Sequence, residues 1–195
     1  MIIEGVTLTA KTLSKEKIII AASDLLAQDQ TVTATKLGKI LQTRPQAIYN
    51  YFSDINAIKI AVAIKFFQNL AIRLEADLRE ESGLAAIRIF ANTVVHYSLD
   101  NRQLWKLTMT LDLKNGDQAL IISLDQLSDI LWKILSSLIA SEFERLGVSR
   151  LIRDLIIGEI TQSNNGYLDN KKMSQHDSFD LAMKIVLSHL DEQNN

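Results

Sequence analysis

At 195 residues with no cysteine, the chain is long enough for one large helical domain or a small module fused to a larger one, and disulfides, thiolate zinc sites and cysteine nucleophiles are excluded. Apolar residues make up 47% and charged residues 23%, with seven glycines and one proline, a balance that suits a helical globular protein and fits neither disorder nor an all-β fold. The net charge of −2 is uneven: through residue 60 there are seven basic and five acidic side chains, and beyond it fourteen basic and eighteen acidic, a mildly basic head on an acidic body.

The opening Met1-Ile2-Ile3-Glu4-Gly5 lacks a basic segment leading into an apolar one, so no signal peptide is expected. Lys59 and Lys65 break the apolar run of residues 58–67, so no uninterrupted membrane span is expected either. The expectation is a soluble, cytoplasmic chain with no membrane partner.

From Ser14, a plausible N-cap, Ile18, Ala22, Leu25 and Leu26 recur at the spacing of one buried face, which predicts a helix over 15–28. Thr33 can cap a second, short helix with Leu37, Ile40 and Leu41 as its apolar positions. Thr43-Arg44-Pro45-Gln46 reads as a capping box, with the only proline in the first turn, where its missing N–H costs nothing. A third helix is thus expected over 44–51, with Ile48 and Phe52 as its buried face. A long helix follows to about residue 80. Further helices are expected near 84–99, 101–114, 117–146, 150–165 and 176–191, separated at Asp100-Asn101, Asn115-Gly116, Gly147 before Ser149, and Asn164-Asn165-Gly166. The fold class is therefore all-α, about nine helices, with residues 1–54 (core 14–54) as one domain and 55–195 as the other.

Two short helices joined by a three- or four-residue turn form a helix-turn-helix when the second presents polar side chains outward. Leu25, Leu37, Ile40, Leu41, Ile48 and Phe52 supply a small core that would hold the second helix proud of the surface. Gln46 and Asn50 carry amides suited to adenine edges, Ala47 suits a thymine methyl, and Arg44 suits guanine or phosphate. Thr33, Thr35, Lys36, Thr43, Pro45, Tyr49, Tyr51 and Lys59 complete the candidate DNA surface, as groups that position a protein on the sugar-phosphate backbone or open the helix.

Thr33-Ala34-Thr35-Lys36-Leu37, a short turn, then Ala47-Ile48-Tyr49-Asn50-Tyr51-Phe52 and a polar start to a long helix resemble the N-terminal domain of the tetracycline-repressor (TetR) family. The resemblance covers about residues 14–62, and Ile-Tyr-x-Tyr-Phe is its sharpest part. The chain departs from the family's pattern at Gly38, where members usually carry Ala, at Gln42-Thr43, where Gly-Val is usual, and at Ile55, where a Lys near phosphate is typical.

The resemblance implies a homodimer built on the last two long helices. Leu151, Leu155, Ile156 and Ile160, with Phe179, Leu181, Ala182, Ile185, Val186 and Leu190, make these helices more apolar than one intramolecular face requires. It also implies a ligand cavity between the central helices, for which Phe90, Val94, Tyr97, Trp105, Leu107, Met109, Leu127, Leu131, Trp132 and Leu135 are the candidate lining. The function implied is a repressor released from a palindromic operator by a small apolar effector, with double-stranded DNA, a second copy and that effector as partners.

No cofactor, metal or catalytic group is expected. His96, His176 and His189 have no ligand spacing, and neither a phosphate loop nor a nucleophile–base pair is present. Lys171-Lys172 reads as a solvated loop. The alternative is a helical small-molecule binder without DNA activity; buried side chains on the third helix would favour it.

Overall fold

A computed structural model describes residues 13–112, 117–163 and 172–194. Nine helices and no strand are formed among them: α1 (Lys15–Ala27), α2 (Ala34–Ile40), α3 (Pro45–Ile48), α4 (Ile55–Asp77), α5 (Gly83–Asp100), α6 (Arg102–Met109), α7 (Gln118–Ser136), α8 (Glu142–Ser163) and α9 (Gln175–Asn194). The all-α expectation is met. The expected separator at 164–166, Asn115-Gly116 and Lys171 lie outside the described residues. The chain divides into two compact units, the first ending at Val62 and the second beginning at Ala63. That division falls inside α4, later than residue 54, because the first two turns of α4 belong with the N-terminal unit.

In the N-terminal unit, Ser14 and Thr33 cap as their positions suggest: Ser14 Oγ accepts from Lys17 N (3.3 Å) and Thr33 Oγ1 from Lys36 N (3.2 Å). Both helices end alike. At α1, Asp29 takes a left-handed φ of 56° while Asp29 N donates to Leu26 O and Gln30 N to Leu25 O, each at 2.8 Å. At α2, Gln42 takes φ 52°, Gln42 N donates to Lys39 O and Thr43 N to Gly38 O. This reciprocal pairing satisfies carbonyls that a helix end otherwise leaves bare. Ile18, Ala22, Leu25, Leu37 and Ile48 form the core.

In the C-terminal unit α5 is the central helix, packed on α6, α7, α8 and α9, with α8 also against α7 and α9. Its inner face is Ile87, Phe90, Ala91, Val94 and Val95. The second half of α4 joins this unit through Phe66, whose ring centroid lies 5.2 Å from that of Tyr97, and through Asp77. Asp77 accepts from Arg73 Nε (2.9 Å) and Thr93 Oγ1 (2.8 Å), and these two bonds hold its carboxyl below the usual carboxylate range. By length and composition α4 is apolar enough to cross a membrane. Its buried residues Ile58, Val62, Phe66, Leu70 and Leu74 recur every four residues, the stripe of a core helix.

Four local expectations are corrected. The helix expected over 117–146 ends at Ser136, and α8 starts at Glu142, running through Gly147 and Ser149 without a break. Ser136 and Ser137 turn their hydroxyls back to Lys133 O and Ile134 O, and Ser141 Oγ then accepts from Glu144 N to open α8. The capping box at Thr43 does not form: Arg44 is the N-cap residue, without a side-chain bond, and Pro45 at the first position starts α3. Helix α6 stops at Met109, with Thr110 N donating to Leu107 O. Ile40, expected in the core, is 50% exposed, since at about 100° per residue it falls well off the Ala34, Leu37, Gly38 stripe that α2 buries.

Candidate nucleic-acid interface

Helix α3 is a single turn, so its placement depends on what surrounds it. Below it sits Ile48, fully buried. Beyond Ile48 the chain tightens rather than continuing as regular helix: Asn50 N donates to Ala47 O and Tyr51 N to Ile48 O. Before it, α2 approaches so closely that a Cβ on Gly38 would lie 2.8 Å from Thr43 O and 3.2 Å from Pro45 N. The glycine is therefore a requirement of the α2–α3 turn, and not merely a loss of helix propensity.

Around that anchor Arg44, Pro45, Gln46, Tyr49 and Asn50 are exposed and Ala47 is half-buried. Thr35 and Lys36 are exposed on α2, where Lys36 Nζ reaches Gln30 Oε1 at 3.4 Å. Residues 33–52 contain Lys36, Lys39 and Arg44 and no carboxylate. The sequence-predicted groups are thus brought onto the short α2–α3 segment, solvent-facing and locally cationic.

Others on the expected surface have work inside the protein. Thr33 spends its side-chain oxygen on its own helix. Thr43 is half-buried, its N–H committed to Gly38 O. Tyr51, half-buried, donates its hydroxyl to Leu13 O at 2.7 Å, tying the end of the α3 turn to the residue before the α1 cap. Sequence reasoning missed this tether because its partner is a backbone carbonyl distant in the chain. Phe52, expected to be buried, is half-buried, with Lys15 Nζ 5.9 Å from its ring centroid. Lys59 is half-buried in the second turn of α4. At the start of α4, Asp54 Oδ1 accepts from Ala57 N (2.8 Å), and Ile55 follows, so this helix end carries an acidic cap and an apolar side chain where a lysine was missed.

The candidate effector residues are mostly packed core. Phe90, Val94, Trp105, Leu107, Leu131 and Leu135 are buried, and Leu127 is half-buried. Met109 is exposed, against expectation, because α6 ends there. Trp132 is half-buried with the Arg145 guanidinium 5.0 Å from its ring. Tyr97 borders a polar cavity of about 210 Å³ with Arg73, Asp77, Thr93, His96 and Asp100, and burial raises its hydroxyl above the ordinary tyrosine value against a bond with Asn69.

The expected dimer residues separate into two sets. Ile156, Ile160 and Phe179 face inward and are buried, a correction to their placement at a surface. Leu151 and Ile185 are exposed, and Leu155, Ala182 and Val186 are half-buried. Ile157 and Leu181 are exposed as well. Periodicity showed two apolar stripes on these helices without showing which one the protomer uses.

No family model matches the chain. The chain is all-helical among the described residues, with a solvent-facing second helix in a helix-turn-helix, and solved structures of TetR-type regulators share this fold. SCO7222, a TetR from Streptomyces coelicolor, matches with a TM-score of 0.69 at 16% identity over 94% of this chain and 100% of that one. The transcriptional regulator FadR from Bacillus subtilis, solved in complex with stearoyl-CoA, matches with a TM-score of 0.69 at 18% identity over 90% and 98%. The chain has the fold of TetR-type regulators, as its sequence implied. In sequence it is similar to YobS of Bacillus subtilis (strain 168), an uncharacterized HTH-type transcriptional regulator, with 25% identity over 149 residues, 75% of this chain and 76% of that protein. The relatives are transcriptional regulators rather than enzymes.

Proposed function

We propose that the chain is a homodimeric regulator of transcription that holds a palindromic operator through α3 and is released when a small apolar effector enters its C-terminal unit. The observation that carries this reading is the inversion at α3: one buried anchor, Ile48, beneath a set of exposed polar side chains in a stretch without a carboxylate. A one-turn helix gains little from its own hydrogen bonds, so the burial of Ile48 beneath it is what fixes these exposed groups in place.

In this reading Gln46 and Asn50 pair with base edges, Ala47 meets a thymine methyl, and Arg44 takes guanine or phosphate. Thr35, Lys36 and Tyr49 position the backbone, with Lys59 supplying charge that Ile55 does not. Thr33, Thr43 and Tyr51 build the surface rather than read from it. The exposed apolar residues of α8 and α9, Leu151, Ile157, Leu181 and Ile185, are what a second copy covers, and two α3 helices then present to successive turns of the duplex. An effector entering between α5, α6 and α7 must part Phe90, Val94, Trp105 and Leu131, and the resulting shift of packed helices is what changes operator affinity. The stearoyl-CoA held by FadR supports an apolar chain as the kind of ligand this fold can take.

The test is selection from a randomised duplex library at low salt, repeated with Tyr49→Ala and Gln46→Ala. A palindrome is expected to be enriched, lost with Tyr49→Ala and relaxed at defined bases with Gln46→Ala. A folded dimer that enriches nothing from any library would overturn operator binding and leave the helical-binder reading, with the Asp54-Ile55 start of α4 as the physical reason.

A further inference from the structure

Glu159 is a carboxylate in an unusual place. It sits on α8 with only 8% of its surface exposed, yet it borders a surface cavity of about 290 Å³ between α8 and α9. Around it are Leu155 and Gly158 from α8 and Phe179 and Ala182 from α9. Gly158 has open space where a Cβ would be, so a neighbouring helix could approach closely there. A second copy resting on Leu155, Gly158 and Ala182 would cap this cavity and remove the remaining water from Glu159.

Among the described residues, the groups acting on the carboxylate are Gln175, Ser163, His176 and Asp180. Gln175 Nε2 donates to Oε2 at 3.3 Å and Ser163 Oγ to Oε1 at 3.3 Å. From α9, His176 favours the anion and Asp180, itself 3.7 Å from His176, opposes it. His96 of α5 lies against His176, their ring centroids being 5.8 Å apart. Asp154 of α8 borders the same cavity, adding negative charge. Burial is the largest influence and pushes its carboxyl above the ordinary glutamate value.

We propose that closing the α8/α9 face against a second copy takes up a proton at Glu159 of each copy, so that the dimer tightens as the solution is acidified. This rests on the reading that α8 and α9 carry the assembly. Desolvation by the second copy disfavours the carboxylate further, so the dimer binds more protons than two separate chains. Association is therefore strongest below the carboxyl's titration and weakens as pH rises through it. Two copies titrate together, so the dependence is steeper than for a single site.

Sedimentation across dilution series between about pH 5 and pH 8 tests this, with circular dichroism confirming that the fold is retained. The dissociation constant of the natural chain is expected to fall roughly fivefold or more towards the acid end. Glu159→Gln, which mimics the protonated group, is expected to dimerise at every pH as the natural chain does in acid. His176→Asn is expected to keep the pH dependence. Calorimetric dilution in buffers of different ionisation enthalpy gives a second readout without substitution: proton release on dissociation is expected. A dimer indifferent to pH, tighter in base, equally pH-dependent with Glu159→Gln, or made pH-independent by His176→Asn overturns the assignment to Glu159. A chain monomeric at every pH overturns the assembly reading itself.

Discussion

The α2–α3 segment and the α8/α9 pair both leave side chains uncovered, but of opposite kinds. On α3 the uncovered groups are Arg44, Gln46, Tyr49 and Asn50, which water satisfies, and they ride on the fully buried Ile48. On α8 and α9 they are Leu151, Ile157, Leu181 and Ile185, with Ile185 62% exposed, which water does not satisfy. The first surface is stable in water. The second leaves apolar side chains in water, at a cost in free energy. Ile48 beneath the first surface and Ile185 on the second thus do different jobs, and substituting them separates the two.

Ile48→Ala is expected to have the larger effect on the chain itself. Removing a fully buried side chain from beneath a one-turn helix costs about 2–5 kcal/mol. Urea unfolding of the N-terminal unit should show that loss, and operator binding should go with it. Ile185→Ala should leave the unfolding of the protomer within about 0.5 kcal/mol, since the side chain is largely in water. It should weaken self-association instead, read by sedimentation. If Ile185→Ala destabilises the isolated protomer as Ile48→Ala does, the contrast between the two surfaces fails.

The intermediate effect concerns the turn. Gly38→Ala places a methyl 2.8 Å from the backbone oxygen of Thr43, an atom that cannot move without moving α3. Although alanine favours helix and is usual at this position in TetR-type sequences, the substitution is expected to cost about 1–3 kcal/mol, as overpacking does. It should also reduce DNA affinity by more than its effect on folding explains. A stabilised Gly38→Ala protein would show that the close approach is not required. No counterpart exists on α8, where Gly147 and Gly158 have open space and tolerate alanine in the protomer.

The same turn shows what could be read from sequence and what could not. Caps at Ser14 and Thr33 were legible because a hydroxyl bonds within its own first turn. The start of α3 was legible through Pro45, but its length was not, because Tyr49 to Tyr51 leave the helix through bonds back to Ala47 and Ile48. The break between α7 and α8 had a signal in Ser141 and Glu144, which Gly147 outweighed; a glycine inside a packed helix costs about 1 kcal/mol and need not end it. Inward and outward stripes on α8 and α9 were not separable, since both are apolar and periodicity does not say what lies opposite. The tether from Tyr51 to Leu13 joins residues 38 apart, beyond any local pattern.

The smallest effect expected is also the one that most directly probes how this turn is built. Gln42 occupies the left-handed position that closes α2, with φ 52°, where a side chain crowds its own backbone. TetR-type sequences usually place glycine there, and this chain instead has its glycine four residues earlier, at Gly38. The two sites answer different needs: Gly38 clears space for Thr43 O, whereas position 42 requires only a permissive φ. Gln42→Gly should therefore stabilise the N-terminal unit by about 1 kcal/mol, relieving strain without moving α3. DNA affinity should stay unchanged, in contrast to Gly38→Ala, and thermal unfolding with parallel binding measurements checks both. The double substitution Gly38→Ala with Gln42→Gly should still bind DNA poorly, because the glycine relaxes the turn but cannot make room for the methyl.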